Sequence, residues 1–470
     1  MSALIETAGK ILGQTESLCP ECLKRIPACR VAYGDDVYLE KTCDEHGLFR
    51  VIIWRGSNPA YLSWATAKLP SRPPVCDTPV ENGCPFDCGL CPEHRQHTCC
   101  VLLEVTGRCN LRCPVCFAQS GDDGPEPSLQ EISSWYEKLM RSGGPFNIQL
   151  SGGEPTMRDD LPEIIALGRS LGFTFIQVNT NGLRLANDSA FSLQLKNAGL
   201  SCVFLQFDGT TDSIYEVIRG KALMAEKNQA IHRCAELELG VILVVTVIPG
   251  VNDGQIGEII RFALERTPTV RGVHFQPISY FGRYPQSPKD QDRITIPELI
   301  RAIELQTNGK ISSASLRPPR AENAYCSFQG NYVLMPDGEL KTWKQKETQG
   351  CCGPLPAAAG ASRAREFVAK KWAAPLIANA AGNEKGAVCC VGNTDSLDEF
   401  LDRVKRFSFC VSGMAFQDAW TVDLERLREC FIHVVAGDER IIPFCAYNIT
   451  DRSGNSLYRP RQAGKPVCSP

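Results

Sequence analysis

Between residues 101 and 278, short apolar runs of β-type composition alternate with segments whose apolar residues recur every three or four positions. The runs are VLLEVT (101–106), FNIQLS (146–151), TFIQVN (174–179), CVFLQFD (202–208), VILVVTV (241–247) and GVHFQPI (272–278). Amphipathic helical patterns fall between them, such as SLQEISSWYEKLMRS (128–142) and DLPEIIALGRSLG (160–172). Strand–helix–strand alternation implies a parallel sheet with right-handed crossovers. Six such units can close into an open barrel, so the predicted fold class is α/β with a partial (β/α)6 barrel over 101–320. Ligands of parallel α/β sheets sit beyond the carboxyl ends of the strands. The residues just after each run are therefore the first candidates for chemistry.

The flanks lack this rhythm. Residues 1–75 hold two metal-type ligand pairs and end in a Pro-rich linker (Pro70, Pro73, Pro74). Residues 76–100 form a short Cys-rich loop. Residues 321–470 are again Cys-rich, with an Ala/Gly-rich patch at 357–382. The expected architecture is an N-terminal metal-binding module, an auxiliary-cluster loop, the barrel and a Cys-rich C-terminal auxiliary domain. A chain of 470 residues has ample length for these parts.

Composition changes the picture in one respect. Hydrophobic residues at 43%, charged residues at 22% and a net charge of −3 are ordinary, and no basic patch points to nucleic acid. The longest apolar stretch, Val241 to Ile248, is far short of the roughly 20 residues of a membrane helix. The N-terminus lacks a basic start followed by an apolar region, so the expected compartment is the cytoplasm. The exception is 24 cysteines, gathered in close clusters. In a long chain of a reducing compartment such clusters read as metal sites rather than disulfides.

Cys109, Cys113 and Cys116 follow the first strand directly, in GRCNLRCPVCF. Three thiolates on one loop can hold three irons of a 4Fe–4S cluster and leave the fourth open. A zinc knuckle borrowing a fourth ligand is the competing reading of the spacing alone. The second strand ends in Ser151-Gly152-Gly153-Glu154-Pro155-Thr156. Its glycines permit close backbone approach, and Glu154 offers a carboxylate for an ammonium group.

Together these motifs resemble the radical S-adenosylmethionine (SAM) superfamily. CxxxCxxC is followed by the aromatic Phe117, and GGEP is Gly152 to Pro155. Asn179-Thr180-Asn181-Gly182 is similar to the turn near the SAM methionine and ribose. Asp208 ends the fourth strand, where the family often turns polar groups toward the cofactor. Arg219, in Ile218-Arg219-Gly220, resembles an arginine that pairs with the SAM carboxylate, and Ile248-Pro249-Gly250 a turn packing near the adenine. The resemblance implies a 4Fe–4S cluster that chelates SAM, reductive cleavage to a 5′-deoxyadenosyl radical, and a reductant such as ferredoxin or flavodoxin.

Cys84, Cys88 and Cys91 repeat the spacing in GCPFDCGLCPEH. They read as an auxiliary 4Fe–4S cluster, with zinc as the alternative, near the catalytic end of the barrel. Cys76, Cys99, Cys100, His94 and Cys326 are candidate fourth ligands. Cys19, Cys22, Cys43 and His46 have the paired spacing of a tetrahedral mononuclear site for zinc or a rubredoxin-like iron. Cys29 could replace His46 there. In the C-terminal region Cys326, Cys351, Cys352, Cys389, Cys390, Cys410, Cys430 and Cys445 are candidates for a further cluster, and 325–343 resembles the hairpin of auxiliary-cluster domains. Cys202 and Cys234 read as core, His274 as a weak substrate-pocket candidate, and Tyr280, Arg283 and Tyr284 as an ordinary loop at the barrel mouth.

The ordered elements SLCPEC, TCDEHG, GCPFDCGLCPEH, GRCNLRCPVCF, SGGEPTMRDDL, VNTNG, FLQFDG, SGMAFQDAW and IPFCAYN extend the likeness over residues 17–460. They resemble the family that includes archaeal tetraether lipid synthase and the dihydro-hydroxymethylpterin dimethyltransferase-like proteins, with a bacterial radical SAM (seleno)protein side branch nearest. This implies radical chemistry at an unactivated carbon, either C–C coupling or methyl transfer, on a small-molecule or lipid substrate. A lipid would imply peripheral membrane contact, but the 350–395 stretch departs from the lipid synthases. The competing functions are a multi-cluster electron-transfer protein, which has no reason to hold GGEP and NTNG at strand ends, and a nucleic-acid modifying radical enzyme, which the net charge disfavours.

Overall fold

The computed structural model describes residues 9–66, 68–343, 356–374 and 396–459. Four strands open the chain: β1 (Lys10–Leu18), β2 (Arg25–Tyr33), β3 (Asp36–Cys43) and β4 (Gly47–Trp54). They form an antiparallel sheet in the order β1-β2-β3-β4. The β1–β2 turn carries Cys19 and Cys22, and the β3–β4 turn carries Cys43 and His46. Leu23 and Gly47, at φ 54° and 76°, reverse the chain at each turn. The ribbon is tied to the body by buried polar contacts. Lys41 Nζ donates to Ala419 O (2.8 Å), and Arg30 pairs with Asp423 (2.7 Å).

The six predicted strands are present as β5 (Cys100–Thr106), β6 (Asn147–Gly152), β7 (Ile176–Thr180), β8 (Cys202–Gln206), β9 (Gly240–Val247) and β10 (Val270–Pro277). All are parallel and adjacent in chain order. Helices follow them as the periodicity required. In Leu129–Arg141, Ser128 closes a capping box with Glu131, and Ile132, Trp135, Tyr136 and Leu139 form the buried stripe.

The sheet does not stop at β10. The C-terminal region contributes β11 (Ser327–Leu334), β12 (Leu340–Thr342), β13 (Ser408–Met414), β14 (Ile432–Val435) and β15 (Ile441–Pro443). The full order is β12-β11-β13-β10-β9-β8-β7-β6-β5-β14-β15. β13 extends the barrel in parallel beyond β10, and β14 extends it in parallel beyond β5. Strands from the described part of the C-terminal region therefore flank the barrel at both edges.

Side-chain alternation divides the barrel into two environments. Val101, Leu103 and Val105 on β5, Ile148 and Leu150 on β6, and Leu243 and Val245 on β9 point outward into the main apolar core against the helices. Each such burial contributes about 1.5–3 kcal/mol. The opposite phase lines the lumen and mixes polar with apolar side chains: Gln149, Ser151, Asn179, Gln206, Thr246, His274 and Gln276 stand among Leu102, Phe204 and Val244. The helix Ala357–Trp372 lies against the lumen wall, where Trp372 stacks on Phe204 at 5.4 Å. Cys202 and Cys234 are buried as expected.

Candidate active site

The loop after β5 is anchored by its backbone. Gly107 N donates to Pro125 O (2.7 Å), and Cys109 N donates to Gly121 O (2.7 Å). Gly153 N and Glu154 N reach across from the end of β6 to Thr106 O (2.7 Å) and Arg108 O (2.8 Å). A Cβ on Gly152 would lie 2.3 Å from Thr106 O, and one on Gly153 would lie 2.1 Å from Arg108 O. The glycines of GGEP thus serve the cysteine loop: they let two strand ends meet without a side chain between them.

Arg283 fastens the other side. Cys116 and Arg283 exchange two backbone hydrogen bonds of 2.9 Å, and the guanidinium donates to Cys113 O (2.9 Å) and Ser120 O (3.1 Å). The segment expected to be an ordinary loop is a clamp on Cys113 and Cys116, and its Tyr280 and Tyr284 are buried. Burial, helped by the carboxylate of Glu154 and the neighbouring thiols, pushes the Cys109 thiol up to about 12. A metal would reverse this, because a coordinating thiol is deprotonated.

Cys109, Cys113 and Cys116 sit at one end of a cavity of about 630 Å³ that continues down the lumen. At the same end stand Gly152, Gly153, Glu154, Asn179, Asn181 and Arg219; Phe117, Phe281 and Phe444 supply apolar wall. The carboxylate of Glu154 is engaged beneath the surface. It accepts from Thr156 Oγ1 (2.6 Å), Thr180 Oγ1 (2.6 Å) and Asn181 N (2.6 Å), and so locks the third strand's turn. Lys227 Nζ donates to Asn181 O (2.5 Å) from below, its ammonium pulled down to about 8 by burial.

Asp208 and Arg219 divide their work. Arg219 lines the cavity, whereas Asp208 lies behind it, wholly buried and off the cavity wall. Two bonds of 2.7 and 2.8 Å hold the guanidinium in a bidentate pair. Asp208 therefore orients Arg219, contrary to the expectation that it faces a cofactor directly. Pro155 likewise packs inside and lies off the cavity wall.

In the ribbon, one ligand atom from each of Cys19, Cys22, Cys43 and His46 lies within 4.8 Å of the other three. His46 Nδ1 is 3.6 Å from Cys19 Sγ and 3.4 Å from Cys43 Sγ, and Cys22 Sγ is 4.0 Å from Cys43 Sγ. A tetrahedron with zinc bond lengths has sulfur–sulfur edges of about 3.8 Å and sulfur–nitrogen edges of about 3.5 Å. The four residues fit a single ion, and Cys29 is not part of the group.

Cys84, Cys88 and Cys91 are buried. Cys84 and Cys88 share an apolar cluster with Phe86, Phe117, Phe444 and Tyr458. Tyr458 Oη accepts from Cys88 N (3.0 Å), while the next residue, Arg459, pairs with Glu104 (2.6 Å) and lies over Phe117. One dipeptide thus braces both cysteine loops. Elsewhere Arg426 Nη2 is 3.5 Å from Cys326 Sγ, and burial, with Cys445 and Cys326 adding to it, raises the Cys430 thiol well above its ordinary value. Of the proposed fourth ligands, Cys76 is exposed, and His94 turns Nε2 to Cys430 O (2.8 Å). Cys99, Cys100 and Cys410 line the lumen. Cys351, Cys352, Cys389 and Cys390 lie outside the described residues.

Sequence reasoning missed Gln149, Thr246 and Gln276 on the lumen wall, and Trp372. The strand residues carried a legible signal, since polar positions at a period of two mark one face. The helix that brings Trp372 lay inside an Ala/Gly-rich patch without apolar rhythm.

A barrel whose first strand runs into a loop of three cysteines, docked on a glycine turn beside a cavity, belongs to the radical SAM class. The Radical SAM superfamily profile matches residues 103–263, and the HMPTM N-terminal zinc ribbon domain profile matches residues 11–55. The 7,8-dihydro-6-hydroxymethylpterin dimethyltransferase of Methanocaldococcus jannaschii is 35% identical over 489 aligned residues, covering 93% of this chain and 94% of that enzyme. The chain belongs to that dimethyltransferase's family. A GTP 3′,8-cyclase of Listeria monocytogenes is 31% identical over 39% of this chain and 55% of its own length. Among solved structures, Streptococcus suis SuiB bound to precursor peptide SuiA aligns over 46% of each chain with a TM-score of 0.39 and 15% identity.

Proposed function

We propose that the protein is a radical SAM transferase that forms a carbon–carbon bond at an unactivated carbon of a small heterocyclic substrate, a dihydropterin-like ring being the first candidate. A 4Fe–4S cluster on Cys109, Cys113 and Cys116, when bound, supplies the electron that splits SAM into methionine and a 5′-deoxyadenosyl radical. The protein's part is positional. Arg219, held by Asp208, faces the SAM carboxylate. The Gly152–Gly153 backbone and the Glu154-locked turn carrying Asn179 and Asn181 border its methionine and ribose. Phe117, Phe281 and Phe444 keep water from the radical. The substrate occupies the lumen below, among Gln149, Gln206, Gln276 and His274.

The observation that carries this reading is one continuous cavity joining the cysteine loop to a lumen where several polar side chains stand on a mainly apolar wall. An electron carrier has no use for it. The substrate class rests on the printed activity of the 35% identical relative. The ribbon site holds zinc or iron as a structural staple. Cys84, Cys88 and Cys91 hold an auxiliary 4Fe–4S cluster, and Cys326 with Cys430 and Cys445 forms a second such site. Every described cysteine is a free thiol, in keeping with a reducing compartment such as the cytoplasm.

Anaerobic reconstitution with SAM and dithionite tests the chemistry. 5′-Deoxyadenosine must exceed that of Cys109→Ala; equal amounts would sink the proposal. With 7,8-dihydro-6-hydroxymethylpterin added, transfer of a methyl group directly from a second SAM gives S-adenosylhomocysteine, whereas coupling of another carbon gives none.

A further inference from the structure

Behind the second cysteine loop a hollow of about 510 Å³ opens on the surface. Arg72, Arg95 and Arg428 line it, with Glu93 as its one carboxylate and His94 at its base. Arg72 and Arg95 are exposed, and neither guanidinium has a hydrogen-bond or ion-pair partner among the described residues. Arg428 shares only Glu16, at 3.3 Å.

The arginines are held in place by their backbones. Ser71 N donates to Arg95 O (3.0 Å), and Arg95 N donates to Arg428 O (2.7 Å). The His97 ring lies 2.7 Å from Arg72 O. Three separate segments are thereby fastened so that three positive side chains share one concavity. The concavity adjoins Cys91: Pro92 and Glu93 follow it directly, and His94 N returns to Cys91 O (3.1 Å) in one turn. On its inner side Cys84 and Cys88 belong to the same apolar cluster as Phe117, the residue after Cys116.

The rim of the first cysteine loop is different. Its Arg108 and Arg112 are both paired, with Glu126 and Asp122. Beside the second loop, Arg72 and Arg95 have no such partner among the described residues.

We propose that this hollow is the docking surface for a small acidic one-electron carrier protein, and that electrons enter through the iron–sulfur centre on Cys84, Cys88 and Cys91. The proposal rests on the reading of both loops as cluster sites. The step is a single electron transfer: the carrier is oxidised by one electron, the centre is reduced by one, and no atom moves. Clustered positive charge attracts an acidic partner and speeds its encounter, so the interaction weakens with salt.

The test compares two reductants on the reconstituted full-length enzyme. SAM cleavage is measured with dithionite and with fully reduced flavodoxin, in wild type, R72E/R95E and R72Q/R95Q. Dithionite-supported 5′-deoxyadenosine should agree within about twofold across all three. The flavodoxin concentration for half-maximal rate should rise about tenfold or more in R72E/R95E and by less in R72Q/R95Q, and the wild-type rate should fall with added salt. Unchanged flavodoxin dependence, an equal loss with both reductants, or a salt-independent wild-type rate would overturn the docking surface. Absence of cleavage with dithionite in wild type would instead overturn the radical reading itself.

Discussion

The two CxxxCxxC loops have identical spacing and opposite surroundings. Loop 109–116 hangs from the end of a barrel strand, borders the cavity of about 630 Å³, and is held by carbonyl oxygens and the Arg283 guanidinium. Loop 84–91 precedes the strand. It is held by Tyr458 and the Asp87 carboxylate, which accepts from the backbone of Glu81 and Gly83. The spacing gives each loop the same capacity for metal. The framework decides which one meets a substrate: only the first has GGEP across from it and a lumen beneath it.

Removing one thiol from each loop breaks the comparison most sharply. Cys109→Ala should abolish 5′-deoxyadenosine formation, whereas Cys84→Ala should retain it when dithionite is the reductant. Each should lower the iron content by about four atoms, the content of one cluster. Equal loss of SAM cleavage in both would show that the loops act as one centre. The next effect is that of Gly153→Ala, which leaves every thiol in place. Its methyl group would clash with Arg108 O and push the first loop from its seat, costing about 1–3 kcal/mol. Denaturant unfolding and the iron count should both register it, and loop 84–91 should keep its iron.

The barrel was legible because the outward phase of each strand is apolar. All six runs were placed, and strand-end logic separated two motifs that spacing could not. Less legible was whatever depends on the chain meeting itself over long distances. Arg283 carries no motif, and its role exists because Gly282, at φ 69°, brings its backbone onto Cys116. Asp208 and Arg219 both read as cofactor contacts, and local sequence does not say which carboxylate lies behind which guanidinium. Cys326 and Cys430 lie far apart in sequence, and the approaches to β11 and β14 are joined only in the fold, where Asn323 Nδ2 donates to Glu429 Oε2 (3.1 Å).

A smaller effect should come from Asp208→Asn. It removes the charge that aims Arg219 while keeping hydrogen-bonding capacity. If Asp208 acts through Arg219, KM for SAM should rise about tenfold, the worth of roughly one charge-assisted bond, with a smaller change in kcat. A fall in kcat alone would place Asp208 in the chemistry. Because Arg219 stands beside the first loop, iron on the second should be unaffected.

The smallest effect separates the loops by pH. Behind loop 84–91, His94 and His433 pack ring against ring at 5.1 Å, and neither ring nitrogen of His433 has a hydrogen-bond partner among the described residues. Burial pushes His94 down to about 4 and His433 well below its ordinary value. The folded chain therefore binds these protons more weakly than the unfolded chain. Stability is complete above the unfolded value of about 6.5 and is lost as pH falls toward 4. His94 alone should cost about 2 kcal/mol at pH 5. The first loop's clamp is instead a set of bonds from Arg283 to carbonyl oxygens, so hydrogen exchange at pH 5 should open residues 84–97 before residues 107–121. His433→Leu removes two unpaired nitrogens and one buried proton site. It should leave stability at pH 7.5 unchanged or raise it by about 1 kcal/mol, and should flatten the acid loss. An acid loss in His433→Leu equal to that of wild type would show that the second loop's acid sensitivity does not arise from His433.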